Sequence, residues 1–200
     1  MNKIAEKLVN WQIRKNIIKA EDRPAYVFAY ETLLLRIMNF LIAVAVGLLM
    51  KNLLGVLVFL AAYIPLRTYA GGYHARNSLN CTILSTIMII IVAFVTKLSF
   101  VMDTPGGVPV FFVLGIVCYA GILIMSPVAD ENKPLSDDEI KKYGKRAYMI
   151  GTAEAAVAAV CLWAGQPEVA AVLILVLVIM AFMLLLGIFN NKRLQGEPHK

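Results

Sequence analysis

The sequence predicts an all-α integral membrane protein of about six transmembrane helices preceded by an amphipathic helix, and three observations carry that prediction. Of the 200 residues, 60% are hydrophobic and only 16% are charged, and the mean hydropathy is +0.75, which lies outside the range of water-soluble domains. The apolar residues are gathered into six runs: Leu33 to Met50, Leu53 to Leu66, Ile83 to Thr96, Val108 to Val128, Met149 to Ala164 and Val169 to Phe189. Polar, glycine and proline residues punctuate them. The cations are distributed asymmetrically about these runs. With the N-terminus inside, the segments Met1 to Arg36, Arg67 to Cys81, Ala129 to Tyr148 and Asn190 to Lys200 hold 17 of the 19 Lys and Arg, leaving Lys51 and Lys97 for the other face. The positive-inside rule then gives a multi-pass protein of the cell membrane with both termini in the cytoplasm. The net charge of +6 reflects this arrangement and does not point to nucleic acid as a partner.

The chain reads as a single polytopic domain over residues 1–200. Residues 1–23 form an interfacial segment, in which Ile4, Leu8, Trp11 and Ile18 fall within one helical arc of about 80° suited to lying on the inner leaflet. Lys15 shares that arc and must snorkel; the plainer reading is a basic topology determinant. Glu21-Asp22-Arg23-Pro24 breaks this helix before Tyr26, Phe28 and Tyr30, an aromatic belt. Met1 to Arg23 has neither the continuous apolar core nor the small-residue cleavage site of a signal peptide. The second and third apolar runs are short, about fourteen residues or roughly 21 Å of helix, so short, tilted or re-entrant helices are expected there. Residues 129–148 form a cytoplasmic loop with a helix opening at Ser136-Asp137-Asp138-Glu139 and ending in Lys141, Lys142, Lys145 and Arg146. That helix is read as solvated, or as a contact for substrate or anionic lipid. Residues 190–200 form a cytoplasmic tail. Asn39 and Ser85 are expected to make interhelical or back-bonded hydrogen bonds, and Cys118 and Cys161 to be packing residues without disulfides.

The polar stretch from Arg67 to Cys81 stands apart from this pattern. Between two oily runs it holds His74, Cys81, Arg67, Arg76 and the pair Gly71-Gly72, and membrane proteins seldom carry such groups without use. A thiol and an imidazole are the parts of a cysteine peptidase: the thiolate attacks a carbonyl, and the imidazole takes the thiol proton and later protonates the leaving amine. On one unbroken helix, seven residues would separate the two side chains by about 10.5 Å along the axis. The chain must therefore bend between them, and Asn77, Ser78 and Asn80 can cap a helix opening there. A cap at Ser78 would put Cys81 in the first turn, the end of a helix that favours negative charge. Gly71-Gly72 suits a turn, a close backbone approach or a packing notch. Arg67 suits a boundary anchor or a dock for an acidic peptide. The alternative for the pair itself is a hydrogen-bonded packing histidine and a cysteine acting as a small hydrophobe. Zinc needs three or four ligands, and no further His or Cys lies near, so neither a metal nor another cofactor is expected.

The pattern Arg67, Gly71-Gly72-Tyr73-His74 and Cys81 between hydrophobic runs, followed by Ser126-Pro127-Val128-Ala129-Asp130-Glu131-Asn132-Lys133-Pro134-Leu135 after a central run, resembles the accessory gene regulator B (AgrB) family of Gram-positive quorum sensing. The resemblance implies a membrane-embedded cysteine endopeptidase of a Gram-positive bacterium that removes the acidic C-terminal tail of an AgrD-like propeptide. It implies Cys81 as nucleophile, His74 as general base, and Arg67 and Gly72 as supporting positions. It also implies that the signal part is held as a thioester and released by an internal cysteine as a cyclic thiolactone. Gly71, Asn77 and Ser78 complete the supporting set. Glu154, about five residues into the fifth run, is a further candidate that would orient His74 or pair with an arginine; a carboxylate snorkelling to the interface is the plainer reading.

Two other classes compete. Six spans with a break around a polar segment also suit a small peptide or solute transporter, although Glu154 and Asn39 are few polar groups for a midplane pathway. A non-catalytic membrane scaffold is the third. Small-residue faces at Ala153, Ala155, Ala156, Ala158 and Ala159 leave a homodimer open, the lipid bilayer and the propeptide being the other expected partners.

Overall fold

The computed structural model describes residues 2–73, 78–96, 107–129 and 135–196. Its helices are α1 (Asn2–Arg14), a 3-10 turn at Ala20–Asp22, α2 (Arg23–Leu49), α3 (Leu53–Ala70), α4 (Ser78–Val95), α5 (Gly107–Met125), α6 (Asp137–Trp163) and α7 (Pro167–Gly196). The six apolar runs thus become six helices, and the protein is an all-α membrane protein. Three helical stretches, Ala20–Leu49, Leu53–Ala70 and Pro167–Arg193, are long and apolar enough to cross a bilayer, and two shorter apolar stretches lie in α4 and α5.

The centre of the bundle is α7. Its residues 170–177 are buried on every side, as expected of a helix that is apolar all round. α3, α5 and α6 pack about it, while α2 and α4 pair with each other and lie on α3 from the outer side. Leu66, Ile122, Val176, Leu177, Met180 and Leu184 form the fully buried core of this arrangement. Elsewhere large apolar side chains such as Leu49, Leu54, Ile124 and Trp163 face outward, at 71 to 90% exposure. In water such a surface would aggregate; in lipid it is the ordinary exterior.

Four details differ from the sequence reading. The helices flanking the polar stretch are unbroken and 18 residues each, about 27 Å long, longer than the fourteen-residue runs that predicted them. α2 begins at Arg23 with Pro24 in its first turn, a position where a missing N–H is harmless. The N-terminal helix stops at Arg14, and Asn16 follows with φ of 54°, so Ile18 is not on it. Ala5 and Val9 of α1 are buried, whereas Ile4, Leu8 and Trp11 remain exposed as one face. Finally, the predicted loop helix and the fifth run are one helix, α6, of 27 residues. Its start is fixed by Glu139, whose carboxylate accepts the Ser136 N–H at 3.0 Å. Its first turns are held to α3 by Tyr143, edge-on to Tyr69 at 5.7 Å, and by Arg146, which lies 5.0 Å from the Tyr69 ring and donates to its hydroxyl at 3.1 Å.

The α2–α3 turn at the opposite end depends on Asn52. Its Oδ1 accepts the Gly55 N–H at 3.2 Å, and its Nδ2 donates to the Ala93 carbonyl at 3.2 Å and the Thr96 hydroxyl at 2.6 Å. One side chain therefore caps α3 and ties it to α4. Asn52→Leu is expected to destabilise the protein by about 1 to 3 kcal/mol, the effect of leaving buried partners unsatisfied. The check is a lowered thermal midpoint in detergent relative to Asn52→Asp, which retains the cap.

Candidate functional site

α3 ends where the chain reaches Gly71, with φ of 75°, and Gly72, with φ of 105°, conformations that glycine alone adopts freely. From there the backbone runs into a three-sided clamp. On one side the Val128 N–H donates to the Ala70 carbonyl at 2.9 Å, and the Gly72 N–H donates to the Val128 carbonyl at 3.2 Å. These bonds make a parallel bridge between Gly71 and Val128. On the second side the Tyr73 N–H donates to the Met183 carbonyl of α7 at 2.9 Å. On the third, the Arg67 guanidinium donates to the carbonyls of Gly71 and Tyr73, closing the last turn of α3 over its own C-terminal loop.

Space is as constrained as hydrogen bonding. A Cβ on Gly71 would collide with the Val128 carbonyl, one on Gly72 would lie 2.8 Å from the Met183 oxygen, and one on Gly187 of α7 would lie 2.8 Å from the Tyr73 nitrogen. Gly71 and Gly72 thus serve as turn and close approach together. The Arg67 fork is turned onto loop carbonyls, so its geometry is that of a positioning residue, in contrast to the outward dock for an acidic peptide considered from the sequence. Gly187 belongs to the same device, and sequence reasoning missed it because a single glycine in an apolar helix carries no local signal.

His74 and Asn77 lie outside the described residues. The expected helix does open at Ser78, and Cys81 stands in the first turn of α4. Its thiol is free and exposed, whereas Cys118 and Cys161 are free but half-buried within α5 and α6.

A cavity of about 470 Å³ opens against this junction. Arg67 and Thr68 line it at the loop end of α3 and Phe59 and Leu60 about two turns before them, with Arg36 and Phe40 of α2, Ser85 and Met88 of α4 and Tyr143 of α6 also in its wall. Asn39 and Ser85, expected to make interhelical or back-bonded hydrogen bonds, are wall residues, and the Asn39 Oδ1 is out of solvent without a hydrogen-bond partner among the described residues. Polar residues inside an apolar run were the signal for this wall; that α2 joins α4 in forming it was not legible from one sequence.

Glu154 also departs from the expectation. It is 8% exposed, so it does not snorkel, and neither carboxylate oxygen has a hydrogen-bond partner. Gly151, one turn away, faces Tyr119 and Leu66, and Ala158, one turn on, packs with Leu173 and Ile174. Glu154 therefore sits in the packing of α6 on its neighbours, unpaired with any arginine among the described residues.

The clamp makes a sharp prediction. Gly187→Ala is expected to break the Tyr73 bond to Met183, and Arg67→Lys, which cannot bridge two carbonyls as a planar fork does, to loosen the same loop. Hydrogen exchange at the Tyr73 amide should quicken roughly fivefold or more in each, as loss of about 1 kcal/mol implies; unchanged exchange in both would mean the clamp does not hold the loop.

Comparison with known proteins agrees with this arrangement. The model of the family described as accessory gene regulator B matches residues 1–184. An AgrB-like protein of Listeria monocytogenes serotype 4a is 29% identical over 154 residues, covering 74% of this chain and 72% of the relative. One from Lactiplantibacillus plantarum is 28% identical over 142 residues, covering 69% and 68%. One from Clostridium perfringens is 33% identical over 103 residues, covering 50% and 48%. No solved structure matches the chain. A match over nearly the full length, through the glycine turn, the α4 opening and the core of α7, establishes the relationship: the chain belongs to the accessory gene regulator B family.

Proposed function

We propose that the protein is a membrane-embedded cysteine endopeptidase that cleaves an AgrD-like propeptide and promotes cyclisation of its signal part. Family membership sets the general role, agr quorum sensing. The observation that carries the finer reading is the placement of Cys81: an exposed free thiol in the first turn of α4, next to a loop fixed up to Tyr73 by Arg67, Val128 and Met183.

In this reading His74, following the clamped Tyr73 directly, takes the Cys81 proton as the sulfur attacks the scissile carbonyl. The C–N bond breaks, the imidazolium returns the proton to the leaving amine, and the tail departs. The signal half stays on Cys81 as a thioester. An internal thiol of the peptide then attacks the same carbonyl, releasing the Cys81 thiolate and forming the ring. One thioester replaces another, so the exchange is nearly balanced, and the acyl-enzyme must be kept from water for cyclisation to outrun hydrolysis. The site opens at the end of the bundle that carries Arg36, Arg67 and the start of α6, the face assigned to the cytoplasm by charge counting. Asn77 and Ser78 would set the opening of α4. Glu154 would contribute through the packing of α6 on its neighbours. A transporter is less well supported, because family membership points to the agr system.

Cys81→Ser and Cys81→Ala are each expected to abolish cleavage of a co-expressed propeptide, by at least about 10³-fold, while the protein still inserts; normal processing by either overturns the peptidase reading. A peptide electrophile is expected to label Cys81 ahead of Cys118 and Cys161, with slower labelling in His74→Ala. Equal labelling of all three thiols, read by mass spectrometry of the digest, would argue against an activated sulfur.

A further inference from the structure

The cavity at the α2–α3–α4 junction has three properties that single out one occupant. It follows the stripe of α4 that bears the nucleophile: Ser85 and Met88 in its wall lie four and seven residues after Cys81, on the same helical face. It is deep, since α3 lines it from Tyr69 to Phe59, ten residues apart or about 15 Å of helix. Its polarity is graded: Arg67 and Thr68 stand at the loop end of α3, Phe59 and Leu60 about two turns before them and Met88 seven residues beyond Cys81, and no carboxylate among the described residues lines it. At about 470 Å³ it falls within the roughly 300 to 1,000 Å³ of sites that enclose small ligands. One wall atom asks for a partner, since the Asn39 Oδ1 is buried and accepts nothing from the described residues.

We infer that this cavity is the subsite for the acyl half of the propeptide: it receives the large apolar side chain of the residue whose carbonyl Cys81 attacks, and Asn39 Oδ1 accepts a backbone N–H of that segment. This rests on the peptidase reading and adds the side-chain specificity. The chemistry favours the acyl half over the leaving half. The acyl half stays on the sulfur until the ring closes, and an apolar side chain filling the cavity both anchors it and displaces water from beside the thioester. A carboxylate of the acidic tail would lose its hydration in the depth among Phe59, Leu60 and Met88; it belongs at the mouth, where the exposed Arg36 stands. Asn39 and Met88 are thus specificity and positioning residues, drawn from α2 and α4.

The test uses the full-length protein in nanodiscs and a propeptide panel with Phe, Leu, Ala or Gly at the residue preceding the scissile bond. Wild type is expected to prefer Phe and Leu. Ser85→Phe, which fills part of the cavity, should shift the ratio of kcat/KM for large against small residues at least about tenfold toward the small, the scale of a misfitted apolar pocket. Met88→Ala, which widens the depth, should shift it the opposite way. Asn39→Ala should raise KM for every member of the panel with little change in that ratio. Cleavage with the same preference in wild type, Ser85→Phe and Met88→Ala would overturn the subsite and indicate that a lipid chain or another part of the substrate fills the cavity, while leaving the peptidase reading intact. No cleavage by wild type of any panel member would overturn both.

Discussion

Everything at the functional end of the molecule depends on how the backbone of Ala70 to Tyr73 is hydrogen-bonded. A chain leaving a helix at the edge of a membrane exposes carbonyl and amide groups that neither lipid nor a helix satisfies, and each unsatisfied group costs free energy. Here Val128 takes up the groups of Ala70 and Gly72, Met183 accepts from Tyr73, and Arg67 donates to Gly71 and Tyr73. The satisfied loop is therefore also a fixed one. The same bonds join three elements distant in sequence: α3, the turn after α5, and the central helix α7. If His74 acts as proposed, the loop before it needs this kind of support, because a misplacement of one ångström at the reacting atoms costs about two orders of magnitude in rate.

The glycines follow from that constraint. Gly71 and Gly72 take left-handed φ values while lying against Val128 and Met183, and Gly187 opens room on α7 for the same loop. At the far end Asn52 does the corresponding work for the α2–α3 turn, binding α3 and α4 together. The pair α2 and α4 is attached to the core mainly through α3, and the cavity is lined by residues of all three. Core packing about α7, a fixed loop and this cavity are consequences of one arrangement.

Much of this was legible in the residues. Six apolar runs gave six helices because the bilayer requires continuous hydrogen-bonded segments. The seven-residue spacing of His74 and Cys81 demanded a break, and the chain leaves α3 at Gly71 and opens α4 at Ser78. The charged run before the fifth span was read as a separate loop helix because its composition changes at Tyr148; the backbone ignores that change, since Tyr143 and Arg146 find Tyr69 and no helix breaker intervenes. What a single sequence does not encode locally is pairing at a distance. Nothing near Gly187 marks it as the partner of Tyr73, nothing near Asn39 marks it as a cavity wall beside α4, and Glu154 was read as snorkelling because its depth in the helix, taken alone, does not reveal which neighbours surround it.

The central claim is that Cys81 carries the signal half of the propeptide as a thioester. The most direct measurement is intact-mass and digest analysis of the protein after reaction with a propeptide whose internal cysteine is replaced by alanine, so that the acyl group cannot leave by ring closure. The account predicts an adduct with the mass of the N-terminal fragment on the peptide containing Cys81, removed by hydroxylamine and absent from Cys81→Ala. Cleavage of that propeptide with no adduct at Cys81, or with the same turnover in Cys81→Ala, would contradict it.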